Sequence, residues 1–187
     1  MNFNATLNQL VKKTFYHQAC TLEIFKKLKD ISNYYDLLAF VKEHSSFFII
    51  NEIIDHDWLS QFPKDTLASL NIFLNGANNL LLDKRNFTAL VYNCHLTTDV
   101  LDDSVAGIKV FGTGYLEANL KGKSATAIKA YGRSSIEVVA TDYAVANVSL
   151  YQKSNGHVTN EGESIVMVLN NSSGEHVFQG NEQLILK

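Results

Sequence analysis

Ile108, Ile128, Val148 and Val168 lie twenty residues apart, and each opens a similar phrase: Ile-Lys-Val-Phe-Gly-Thr-Gly, Ile-Lys-Ala-Tyr-Gly-Arg-Ser, Val-Ser-Leu-Tyr-Gln-Lys-Ser and Val-Leu-Asn-Asn-Ser-Ser-Gly. A fixed period of this kind marks a chain that winds into a stack, each unit burying its apolar face on the next. Apolar and polar residues alternate within each phrase, which is the period of a strand. Ile108 and Val110 point one way and Lys109 and Phe111 the other; Ile128/Ala130 against Lys129/Tyr131 and Val148/Leu150 against Ser149/Tyr151 repeat the pattern. A second strand per unit follows in Leu96-Thr-Thr-Asp-Val, Leu116-Glu-Ala-Asn-Leu and Ile136-Glu-Val-Val-Ala, again twenty apart. Gly112 and Gly132 fall between the two strands, where a corner calls for unusual φ. Val105, Ala125, Val145 and Ile165 form a third apolar series at the same step, and Phe73, Tyr92 and Phe111 carry the echo upstream at steps of nineteen. The expected fold is α+β: a parallel β-solenoid of about six coils over residues 71–187. Twenty residues per coil, with alanines pointing inward, imply a thin cross-section, either a flattened roll or a narrow helix.

Residues 1–70 read as a helical cap on that stack. Leu7, Leu10, Val11, Phe15, Leu22, Phe25 and Leu28 recur at helical spacing, with a possible break at Gln18–Thr21. Asn33 is an N-cap residue with Asp36 in the following turn, and the helix they open buries Leu37, Leu38, Phe40 and Val41. Phe47 to Ile54 continues it or forms a further buried helix. Pro63, the only proline, starts a last short helix over 63–69. Lys12, Lys13, Lys26, Lys27 and Lys29 read as a solvated helix face rather than a nucleic-acid patch.

Charge excludes a globally basic nucleic-acid binder: residues 1–70 carry seven Lys against eight acids and residues 71–187 nine Lys or Arg against eleven. Cys20 and Cys94 match no metal or redox spacing and read as free thiols in a reducing compartment. There is no signal-peptide pattern and no apolar run near the ~20 residues that span a bilayer, so the expected location is cytoplasmic, away from membranes. No phosphate loop, dinucleotide fingerprint or nucleophile elbow is present, so no cofactor, metal or catalytic residue is expected.

Three features remain as candidates. The first is an aromatic column, Phe73, Tyr92, Phe111, Tyr131 and Tyr151, with Lys109, Lys129 and Arg133 beside it. Such rings with interleaved cations can stack bases, sugars or a partner's side chains, or can simply stack on one another at a corner. The second is Asp55-His56-Asp57, for which a surface loop is sufficient explanation. His95, His157 and His176 show no metal spacing and lie at or near turns; Asp99, Asp102 and Asp103 fit a solvated turn. Glu117 and Glu137 occupy equivalent places on neighbouring coils, as the carboxylates of a carbohydrate-active β-helix enzyme would, and equally as a plain ladder. The third is Leu184, Ile185 and Leu186, an apolar strand able to pair with a second copy, giving a homodimer, or with a partner's edge.

The phrases Ile128-Lys-Ala-Tyr-Gly, Val138-Val-Ala-Thr-Asp and Ala144-Val-Ala-Asn-Val resemble the repeats of phage- and prophage-borne β-solenoid proteins. In that loose family a helical region with a conspicuous Cys and paired aromatics often precedes the repeats, and Ala19-Cys20 and Phe47-Phe48 are similar in kind. The resemblance implies a mobile-element origin. Rigid stacked coils offer long flat faces without deep pockets. The expected function is therefore a non-catalytic interaction protein docking on a host protein or nucleoprotein complex, for example to inhibit a defence nuclease. Direct binding of RNA or single-stranded DNA through the aromatic and basic face is the alternative.

Overall fold

A computed structural model describes residues 2–16, 22–181 and 184–186. The chain divides into two compact units, Met1–Ile72 and Phe73–Lys187.

The first unit is helical: α1 (Phe3–Tyr16), α2 (Leu22–Lys29), α3 (Tyr34–Glu43), α4 (Ser45–Ile50), α5 (His56–Ser60) and α6 (Lys64–Ser69). The expected break at Gln18–Thr21, with Cys20 inside it, lies outside the described residues. Asn33 caps α3 as its residue type predicts, its Oδ1 accepting the Asp36 N–H at 2.9 Å. Leu37, Leu38, Phe40 and Val41 of that helix are buried. The apolar run from Phe47 is helical only to Ile50; Glu52 then takes a left-handed φ of 53° and the chain turns. Asp55-His56-Asp57 is the start of α5, not a loop. Asp55 Oδ1 accepts the Trp58 N–H at 2.7 Å, so its carboxylate is occupied as a helix cap. Edge-to-face pairs Phe3–Tyr34 and Tyr34–Phe62, with Trp58 tilted against Phe62 at 4.9 Å, tie the helices together. Lys12, Lys13, Lys26, Lys27 and Lys29 are all exposed, as a solvated face requires.

The second unit is a flattened roll of two parallel sheets that winds about five times, as the repeat implies. Strands numbered in chain order alternate between the sheets. The odd sheet contains β1 (Ile72–Leu74), β3 (Asn86–Tyr92), β5 (Val105–Phe111), β7 (Ala125–Ala130), β9 (Val145–Gln152), β11 (Ile165–Ser172) and β13 (Leu184–Leu186), side by side in that order. The even sheet contains β2 (Ala77–Leu82), β4 (His95–Val100), β6 (Tyr115–Leu120), β8 (Ser135–Ala140), β10 (Asn155–Asn160) and β12 (His176–Gly180). Ile108 pairs with Ile128 and Ile128 with Val148, so the twenty-residue step of the sequence is the register of the stack.

Inward positions form one apolar column set. Ile108, Val110, Ile128, Ala130, Val148, Leu150, Val166 and Val168 from the odd sheet meet Leu96, Leu116, Ala118, Leu120, Ile136, Val138 and Val158 from the even sheet. The roll is thin, so its inner corners admit only small side chains: Cys94, Gly114, Ser134 and Ser154 line one, and Ser104, Ser124, Ala144 and Ser164 the other, all buried. A Cβ on Gly114 would stand 3.0 Å from the Phe111 carbonyl oxygen. The turns need left-handed residues, supplied by Asn93, Gly112, Gly132 and Gln152 at one corner and Gly122, Asp142 and Gly162 at the other. Side chains also close the turns onto neighbouring coils. Asn93 Oδ1 accepts the Thr113 N–H at 2.9 Å, Gln152 Oε1 the Gly132 N–H at 2.6 Å, and Asn155 Oδ1 the Glu175 N–H at 2.9 Å. These bonds satisfy corner amides that no strand partner reaches.

Candidate functional site

The aromatic column exists, but it is a packing ladder at a corner. Phe111 stacks on Tyr131 at 4.8 Å and 7°, and Tyr131 on Tyr151 at 4.9 Å and 8°. Phe111 is 1% exposed and Tyr131 8%, so the ring faces are spent on each other and little is left for a base or sugar. Tyr92 meets Phe111 edge to face, and Phe73 packs partly buried against the solenoid core. Strict alternation would turn Phe111 outward beside Lys109. It is instead the last residue of its strand, and the corner folds it under. Lys109 and Lys129 do remain on the outer surface, register-paired on adjacent strands, with Arg133 exposed at the corner that follows.

The third apolar series lies on the outside. Inward Ile108 and Ile128 fix the parity of their strands, and residues three positions earlier therefore face solvent. Val105 is 52%, Val145 37% and Ile165 40% exposed, with Ala125 between Val105 and Val145 in register. Beside them runs a second row, Gly107, Ala127, Asn147 and Met167, and then Lys109, Lys129, Ser149 and Leu169, of which Leu169 is 39% exposed. The outer face of the odd sheet over β5–β11 is thus flat, built of small and apolar residues, and bounded by cations on one side. Parallel sheets are ordinarily covered on both faces. Exposed apolar residues in register on one face make it the candidate for an interaction surface. The sequence carried the signal: counting parity back from Ile108 places Val105 outside.

The outer face of the even sheet is polar. Tyr115 donates to Glu137 Oε2 at 2.7 Å, His95 Nε2 stands 3.7 Å from the Glu117 carboxylate, and Asn119 donates to Asp99 at 2.9 Å. Glu117 and Glu137 are register partners on β6 and β8. They lie on open strand surface, Glu137 engaged by Tyr115 and Glu117 beside His95, which accounts for them as a ladder. The hydrogen bond to Glu137, then burial, then the charges of Glu137 and Glu117 push the Tyr115 hydroxyl up from 10.0 to about 12. The stabilisation from that bond is fully present below pH 10 and is lost as pH rises through about 12. A phenolate absorbance titration near 295 nm should show one late-titrating tyrosine that vanishes in Tyr115→Phe. In Glu137→Gln the same group should move down toward pH 10; an unmoved titration in that variant would remove the assignment.

His157 is exposed in the middle of β10, not at a turn. His176 takes the register position of the buried Gly156 and lies parallel to Phe178 at 5°. Asp102 and Asp103 are at the corner before β5. Burial pushes the Cys94 thiol up, away from nucleophilic use, and its Sγ donates to the Phe73 carbonyl at 3.2 Å. Among the described residues, no three His, Cys, Asp or Glu side chains converge to hold a metal ion, and no helix is long and apolar enough to cross a membrane. Leu184 and Leu186 hold the register positions of inward Val166 and Val168, and Ile185 that of outward Met167; β12 and β13 stand last in their sheets.

No family model, curated protein or solved structure matches this chain.

Proposed function

We propose that the protein is a non-catalytic docking protein that binds a macromolecule through the outer face of the odd sheet. The observation that carries this reading is the exposed apolar series Val105, Ala125, Val145 and Ile165 on an otherwise rigid, register-locked sheet. Preorganised strands lose little conformational freedom on binding, so flat apolar area of this kind favours association with another large surface. A metabolite needs enclosure, and this face offers none. The resemblance to phage-borne solenoids supports an accessory role for a mobile element in the host cytoplasm, with a host protein or nucleoprotein complex, such as a defence nuclease, as target. The alternative of single-stranded nucleic-acid binding is weakened because Phe111 and Tyr131 spend their faces on each other.

A photo-crosslinking amino acid at Ala127, in the middle of the odd face, is expected to capture a discrete partner in extracts of the native host. The same group at Thr159, on the even face, is expected to capture none. Equal crosslinking from both positions, or none from Ala127, would remove the odd face as the docking surface.

A further inference from the structure

The apolar rows of the odd face cover four strands and three outward residues per strand, roughly 15 Å by 15 Å. That is on the order of 200 Å², well short of the roughly 800 Å² per partner of a stable interface. A partner seated there must therefore extend over a margin. One margin has a single dominant sign. Lys109 and Lys129 stand on neighbouring strands, Arg133 follows Lys129 around the aromatic corner, and Lys153 occupies the equivalent corner position on the next coil. Arg133 and Lys153 make no ion pair with a described residue. Together with Asn155, Ser173, Gly174 and Glu175 they line an open groove of about 580 Å³. The opposite margin is mixed: Lys121 and Lys123 lie among Asp102, Asp103, Asp142, Glu161 and Glu163.

Resting on the docking reading above, we propose that the partner is an acidic protein segment. Its aliphatic or aromatic side chains lie on the Val105–Ile165 rows, and its carboxylates sit at the Lys129, Arg133 and Lys153 margin, one of them in the corner groove. Successive coils bring Arg133 and Lys153 within about 5 Å of register. Two cations so placed repel, and a carboxylate between them removes that repulsion and forms charge-assisted hydrogen bonds. Nucleic acid fits less well. Its interfaces are more polar than those between proteins, whereas here exposed apolar residues share the face with the cations. A second copy turned about a two-fold axis along the strands lays the basic margin over itself; turned about an axis along the stack it lays that margin over Lys121 and Lys123 and the five acids around them, the arrangement that light scattering reads out.

The test is selection from a random twelve-residue peptide display library on the full chain, with a single-stranded DNA oligonucleotide and light scattering alongside. Enriched peptides should combine Asp or Glu with Leu, Ile, Val or Phe. Lys129→Glu with Arg133→Glu should weaken them at least tenfold, and so should Val145→Ser with Ile165→Ser. If only the Val145/Ile165 variant weakens binding, the docking face stands and its acidic specificity falls. If neither variant does, or no peptide is enriched, both fall. Oligonucleotide binding as tight as the best peptide, or a dimer that both variants dissolve, overturns the acidic-protein assignment.

Discussion

Replacing Ile128 by aspartate should prevent the solenoid from folding, whereas Lys129→Asp, one residue along, should leave it folded. Ile128 is fully buried and sits in register between Ile108 and Val148, inside the apolar core cluster of the solenoid. A carboxylate there has no partner, and the cost of hiding it, charged or protonated, is several kcal/mol. Whole domains are stable by only about 5–15 kcal/mol. The position is also central: a coil in the middle of a stack holds the units on both sides, so its failure uncouples them. Circular dichroism and a thermal melt would read the outcome. A cooperative, unshifted melt for Ile128→Asp would mean that the strand faces the other way, and the assignment of inner and outer faces would be lost with it.

Tyr131→Ala should lower stability by about 3 kcal/mol, because it removes the middle ring of a three-ring stack and leaves a void at a corner too narrow to collapse. For a chain of this size that corresponds to a melting-temperature fall of about 6–12 °C. The rings it separates, Phe111 and Tyr151, lie 4.8 Å and 4.9 Å from it. A ligand-binding aromatic would behave differently, with an unchanged melt and a lost partner. An unshifted melting temperature in Tyr131→Ala would therefore reopen the column as a recognition surface.

Much of this architecture could be read from the chain because a stacked fold writes itself as a period. The step from Ile108 to Ile128 to Val148 is the strand register itself, and the alternation within each phrase divides inside from outside. Gly112 and Gly132 mark corners because their φ values of 67° and 74° suit few other residues. Asn33 announced its helix through its side chain. Other features follow from geometry that residue types do not carry. Phe111 is buried because the strand ends at it, and a strand's last residue is a matter of where the corner falls. Asp55 looked like one of three clustered polar residues until its carboxylate met the Trp58 N–H. The apolar series from Val105 to Ile165 was visible as a pattern, yet apolar residues at a fixed step suggest a core until their parity is counted.

The corner bonds from Asn93 and Asn155 reach one coil onward and that from Gln152 one coil back, so these turns are fastened to a neighbour by a side chain as well as by their strands. Such a molecule can lengthen or shorten in evolution only by whole turns. Gain or loss of a single residue within a strand would exchange its inner and outer sides, whereas duplication of a complete turn preserves both. The breadth of the outer surface is thus quantised, and related chains that address larger or smaller targets would differ by multiples of one winding.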